Sequence, residues 1–322
     1  MKSVFRSVKV AALFVGSVVG AGFATGQEVR LFFGSDGVAS LLVTSLFLAV
    51  CCFCFLQVGA GRLLNARVTL IADALVSLCS FAVYAAMIAA AEQLLFEATG
   101  QAGFSALFAV GCLLLLNKGK GALCVLNVVA VPLMAVIIVV VGVRSGARVE
   151  GGFSLLPALS YGGMNLLFSG ALMAKEGERI ALRERITASA LAGVLVFVML
   201  YFMRRAVRGV AADMPFLVAA DGAGLSGAAR LALVLAVVTT MASCAHLAGR
   251  GLASLMKDDL FAFALVALLG VAASAFGFAA IVKTTYPVVS YLGLAATLFA
   301  LFAAAFCAFQ KRGKIFQRKI RP

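Results

Sequence analysis

The residues most able to do chemistry sit in the run GSVVGAGFATGQE, residues 16–28, inside an apolar segment that begins near residue 8. Glycines at 16, 20 and 22 let the backbone leave helical geometry and let a ligand come close. Gln27 and Glu28 follow within the same segment. A helix interrupted there offers two sets of groups to one place: the carbonyls that end its first half, and the free N–H groups and positive dipole end that begin its second. The chemistry on offer is binding, with a cation held by carbonyl oxygens and an anion by N–H groups. A similar interruption stands in LPALSYGGMNLLFSGALM, where Gly162, Gly163 and Asn165 fall mid-way along an apolar run.

The elements that position these residues follow from composition. Of 322 residues, 64% are hydrophobic and 12% charged, against about 25% charged in an average soluble domain. A bilayer core of roughly 30 Å needs about 20 apolar residues per helix, and such stretches recur along the whole chain. Hydropathy predicts ten spans, near 8–33, 37–58, 69–96, 103–117, 121–143, 156–175, 186–203, 226–249, 260–279 and 284–309. The start reads as a retained span, because the apolar pattern resumes across VRLFF where a cleaved signal peptide would give way to a polar domain. Most of the 27 lysines and arginines fall in alternate connections, at Lys2 to Lys9, Arg62 and Arg67, Lys118 and Lys120, Lys175 to Arg185, Arg250 and Lys257, and the tail from Lys311 to Arg321. The positive-inside bias then puts both termini in the cytoplasm of a multi-pass inner-membrane protein. The same bias explains the net charge of +14 without nucleic acid. The eight cysteines lie in apolar segments without metal spacing and read as small buried hydrophobes.

Ten spans divide into two halves of five, about 8–143 and 156–309, within a single domain over residues 1–322. Span 6 then corresponds to span 1 with its direction reversed. Broken segments in matching positions of two halves point to an inverted-repeat transporter with a site at the midplane. The run VGSVVGAGFATGQE, with YGGMN in span 6 and TTYP entering span 10, resembles the YkvI-like bacterial membrane proteins. Through them it is similar to the amino acid–polyamine–organocation superfamily, with the LeuT-type fold. That resemblance implies an all-α protein of ten transmembrane helices, a five-plus-five inverted repeat with helices 1 and 6 broken. It implies a sodium ion on carbonyls at Gly16 and Val19 together with span 8, and a substrate carboxylate on the backbone of Gly20, Ala21 and Gly22.

Span 8 contains LAVVTTMASCAHLAG, where Ala236, Thr239 and Thr240 match the family's ion-binding pattern. On a helix the Ala236 carbonyl and hydroxyls three and four residues later share one face, giving a hard cation three oxygens within a turn. The alternative is that both hydroxyls bond back to the preceding turn. Proton-coupled relatives often carry a lysine in span 5 in place of this ion, and GALCVLNVVAVPLMAVIIVVVG has none. Phe23 stands where relatives with two sodium sites carry an asparagine, which argues against a second sodium.

Tyr84, midway along span 3, is a substrate candidate or a packed aromatic. Gly163 and Asn165 are substrate candidates at the span 6 break. Glu28 is a candidate outer-vestibule residue, an ion-pair partner for Arg30 or Lys283, or a proton carrier or gate. Asp73 and Glu92 read as interfacial, and His246 as packed or reaching for the interface. Tyr286-Pro287 reads as an ordinary first turn of span 10. No metalloprotease, hydrolase-elbow or phosphate-loop motif occurs, so no enzyme and no cofactor is expected, with sodium as the coupling ion. The expectation is a sodium-coupled secondary transporter of a small amino acid or related zwitterion. The alternatives are a proton-driven version using Glu28 and a membrane receptor that binds without transport. Oligomeric state stays open.

Overall fold

The computed structural model describes the backbone of residues 2–63, 66–117, 120–256 and 258–320, and the side chains of residues 3–63, 68–114, 131–256 and 258–309. The described residues form α1 (Lys2–Val18), α2 (Ala21–Ala24), α3 (Gln27–Phe33), α4 (Val38–Ala60), α5 (Ala66–Thr99), α6 (Ser105–Asn117) and α7 (Lys120–Arg144). After the middle of the chain come α8 (Leu155–Gly177), α9 (Leu182–Ala206), α10 (Pro215–Gly222), α11 (Ser226–Met256), α12 (Asp259–Ser274) and α13 (Phe278–Ile320). Helix therefore occupies each of the ten predicted segments. Six helices among the described residues are long and apolar enough to cross a membrane: α4, α5, α8, α9, α11 and α13. Ser105–Leu114, Val131–Arg144 and Asp259–Ser274 are shorter apolar helical stretches. The chain is thus an all-α, multi-pass membrane protein. The connections at Arg67, Lys118, Lys120 and Lys257, the tail from Lys311, and Cys124 lie outside the residues whose side chains are described.

Close backbone approach builds the bundle. In a membrane the helices gain little from expelling water, so contact depends on small residues that let backbones meet. Where α4 runs beside α8, a Cβ on Gly59 would overlap the Ala174 carbonyl, and one on Gly177 the Leu56 carbonyl. Where α8 meets α13, a Cβ on Gly163 would lie 2.5 Å from the Cα of Leu294, and one on Gly293 would overlap the Gly163 carbonyl. These contacts correct the expected break in span 6. Helix α8 is continuous from Leu155 to Gly177, and its Gly162-Gly163 pair faces the Phe47 ring on one side and α13 on the other. Asn165 stays inside the helix and donates from Nδ2 to the Tyr161 carbonyl at 2.9 Å.

Span 10 also differs from the expectation. It begins at Phe278, just after Gly277 at φ 81, so Tyr286 and Pro287 lie in its third turn. Proline there withholds one backbone hydrogen bond from within the helix.

The loops at the end of the bundle away from Lys2 are tied down by arginines. Arg30 donates to the carbonyls of Val210 at 3.2 Å and Ala212 at 2.9 Å. Arg204 donates to Gly34 O and Arg205 to Ala147 O, each at 2.7 Å. An isolated parallel bridge, Asp36 to Gly152, joins the turn before α4 to the segment before α8.

The close α8–α13 approach gives the first prediction. Gly163→Ala should lower unfolding stability in detergent by about 1–3 kcal/mol through overpacking. Gly111→Ala, where an added Cβ meets nothing within 4 Å, should be neutral or gain up to about 1 kcal/mol. Equal melting temperatures for the two variants would count against this packing.

Candidate ion and ligand site

Span 1 is interrupted twice. Its backbone ladder runs to the Val19 N–H, which donates to Val15 O at 2.8 Å, and resumes with Ala24 N–H to Gly20 O at 2.9 Å. The carbonyls of residues 16 to 19 are therefore left out of the ladder. Gly20 is extended, at φ −83 and ψ −173. Helix α2 lasts only four residues before Thr25 and Gly26, the latter left-handed at φ 79. The expected second half-helix is therefore a single turn followed by a kink. A Cβ on Gly26 would lie 2.6 Å from Val207 Cγ1 and 3.3 Å from the Phe216 backbone nitrogen. The Phe216 N–H donates to Thr25 O at 3.0 Å, docking the start of α10 on this second kink.

At the first break the freed groups meet α11. The Ala21 N–H donates to Thr240 Oγ1 at 3.2 Å. Thr239 Oγ1 donates to the Ala236 carbonyl at 3.1 Å, the back-bond that sequence left as an alternative. A hydroxyl engaged in this way keeps a lone pair for a cation. Gly16, Val19, Gly20, Ala236, Thr239 and Thr240 line one cavity of about 20 Å³, closed on the α7 side by Val131 and Met134. One water-sized sphere needs roughly 10–15 Å³ on this measure, so the space suits a single small ion. All five residues expected to hold sodium, Gly16, Val19, Ala236, Thr239 and Thr240, border this cavity.

The expected substrate residues are more scattered. Gly20 and Ala21 are at the break, but Gly163 is spent on α13 and Asn165 on its own helix. Tyr84 is fully buried, and its ring fills the space over Gly270 of α12, while its hydroxyl has no hydrogen-bond partner among the described residues. Gly22 has another function. A Cβ there would overlap Glu28 Oε1 and lie 3.0 Å from the Tyr286 hydroxyl. Glu28 folds back from α3 onto the break instead of lining an outer vestibule. It makes no ion pair among the described residues, because Arg30 is turned to the loop carbonyls and Lys283 is exposed. Tyr161, fully buried, packs edge-on against Phe32 at 5.5 Å and Phe33 at 5.2 Å between ring centroids.

Tyr286, Tyr161, Val131 and Met134 are the site residues that sequence reasoning missed. Tyr286 escaped because Pro287 was read as a first-turn proline; the Gly277-Phe278 step was the available signal for the true start. Tyr161 stood beside Gly162-Gly163 and was overlooked in favour of the glycines.

No family model matches the sequence, and no curated protein matches it. Among solved structures the chain is similar to Mhp1, described as a nucleobase-cation-symport-1 family transporter in a closed conformation with bromovinylhydantoin bound. The TM-score is 0.55 at 16% identity, covering 94% of this chain and 74% of that one. The likeness is one of fold: the chain shares the LeuT-type fold of Mhp1.

Thr240 is the most exacting residue of the break. Thr240→Val should cost about 1–3 kcal/mol by leaving the Ala21 N–H buried without an acceptor, and Thr240→Ser should recover most of it. Thr239→Val, which removes only a bond within its own helix, should cost less. Chemical denaturation in detergent would measure the order, and equal losses for both valine variants would contradict it.

Proposed function

We propose that the protein is a sodium-coupled secondary transporter working by alternating access, with α1–α3 counted as the first of ten spans in a five-plus-five inverted repeat. The observation that carries this reading is the convergence of two segments more than 200 residues apart on one small cavity. The break in span 1 brings carbonyl oxygens, and α11 brings the Ala236 carbonyl and two threonine hydroxyls. Oxygen ligands of this kind suit a hard monovalent or divalent cation. The α7 side offers Val131 and Met134, so among the described residues no ammonium lines the cavity.

In this mechanism the ion bridges α11 to the end of α1 and so favours one arrangement of the break. The co-transported solute binds on the other side of Gly20, and ion and solute together stabilise the state that lets the site close on one face and open on the other. The solute class expected from sequence is a small amino acid or related zwitterion. Membership of the YkvI-like group, a bacterial inner membrane and cytoplasmic termini belong to the same proposal. A proton-driven version remains a distinct second reading, favoured by the buried Glu28 carboxylate, which has no ion-pair partner among the described residues.

Reconstitution in proteoliposomes tests the two. Under an imposed sodium gradient the wild type should accumulate solute, and Thr239→Val with Thr240→Ala should lose sodium stimulation while eluting as a folded protein. Accumulation driven by a proton gradient alone, indifferent to sodium in both proteins, would refute the sodium site.

A further inference from the structure

A second cavity lies where α3 and the end of α9 meet the segment leading to α10. It holds about 240 Å³ and is lined by Arg30 and Gly34, by Arg204 and Val207, and by the turn from Gly209 to Ala211. The ion cavity holds about 20 Å³, so this space takes a polyatomic group where the other takes a single ion. Gly34, Gly209 and Ala211 are exposed, which puts the mouth at the protein surface.

Two of the lining residues are cations and none is an acid. Arg204 is only 4% exposed. Its Nη2 donates to Gly34 O at 2.7 Å, while its Nε–H is buried and donates to nothing among the described residues. A buried donor on a charged group is costly to leave without an acceptor. Arg30 uses Nη1 on the carbonyls of Val210 and Ala212. A guanidinium carries five N–H donors, so these staples fix both side chains without exhausting them. Neither arginine has an ion-pair partner among the described residues. Asp36 lies near enough to act on the Arg204 charge, but it does not line the cavity and its Oδ1 accepts from Ser154 at 3.0 Å.

Fixed guanidinium forks match an oxyanion that accepts several N–H bonds at once, phosphate above all. A halide would leave most of the space unfilled. At 25 residues α9 is about 37 Å long, more than a hydrocarbon core of roughly 30 Å, so the last turn, which carries Arg204, reaches headgroup depth. We propose that this cavity binds a phosphate group, carried by a lipid headgroup or by a free small phosphate, on the guanidiniums of Arg30 and Arg204. The site is independent of the coupling ion and the transported solute.

The full chain in an uncharged detergent tests it. Potassium phosphate should raise the melting temperature saturably where potassium chloride at matched ionic strength does not, or dioleoyl phosphatidylglycerol should bind in native mass spectrometry where dioleoylglycerol does not. The first result assigns a free phosphate and the second a lipid headgroup. Ala211→Glu places a carboxylate in the cavity and leaves both arginine staples in place; it should weaken the bound probe at least about tenfold, while Ala211→Gln, of the same size, changes it by less than about threefold. Arg204→Gln should weaken it at least as much as Ala211→Glu, and the alanine pair decides where that variant does not fold. Chloride as effective as phosphate together with diacylglycerol binding as well as the phospholipid, binding of neither probe, or equal affinities in Ala211→Glu and Ala211→Gln would overturn the proposal.

Discussion

The structure depends on one constraint: a backbone group freed inside a membrane bundle has to be satisfied by something other than water. Between Val15 and Gly20 the helical ladder of span 1 stops and restarts, and four carbonyls and the N–H groups opposite them lose their helical partners. Helix α11 answers on one side. Thr240 takes the Ala21 N–H, while Thr239 and the Ala236 carbonyl stand at the border of the same cavity. The threonines are therefore structural and chemical at once. The hydroxyl that keeps the break intact is also an oxygen facing a space of single-ion size.

Glycine serves opposite ends in the two halves, and this set how far the sequence could be read. Helix positions and the interruption of span 1 were legible because apolar length and glycine spacing are local properties. That Gly16, Val19, Ala236, Thr239 and Thr240 border one small cavity was legible for a related reason: two short patterns, each within a turn or so of helix, fix which oxygens share a face. The Gly162-Gly163 pair looked the same in sequence as Gly20 and Gly22. What separates them lies across the interface, where Leu294, Gly293 and the Phe47 ring need the space that a Cβ would fill. No pattern local to α8 holds that information. Tyr84 failed similarly, since its direction toward Gly270 depends on how α5 sits against α12. Tyr286 was hidden by a proline that fits equally well at a helix start and, with a lost hydrogen bond, inside one.

Charge is handled in two ways. The arginines at the end away from Lys2 donate to loop carbonyls: Arg30 to residues 210 and 212, Arg204 to Gly34, Arg205 to Ala147, and Arg144 to Ala223. A guanidinium has several donors in a fixed fork and suits that task. These cations are held as loop staples, which is compatible with their lying on the side poorer in positive charge. Glu28 differs. Among the described residues it is an acceptor with no donor, and the absence of a side chain on Gly22 lets it reach the break.

The two breaks in span 1 connect these features mechanically. The first touches α11 through Thr240, and the second touches the segment between α9 and α10, because Phe216 donates to Thr25 and Val207 packs on Gly26. Helix α3, between the second break and Gly34, carries both Glu28 and Arg30, so the carboxylate at the site and the staple on the loop ride on one rigid element of seven residues. Any rotation of α3 that withdraws Glu28 from Gly22 has to displace Arg30 from the carbonyls of Val210 and Ala212, or pull those residues with it. Glu28 and Arg30 are two positions apart, roughly on opposite sides of the helix, so the same turn moves one inward and the other outward. Holding Glu28 over Gly22 thereby also favours the stapled loop. The carboxylate over Gly22 and the arginine staple on the loop are thus coupled through about two turns of helix, with no need for a longer pathway through the bundle.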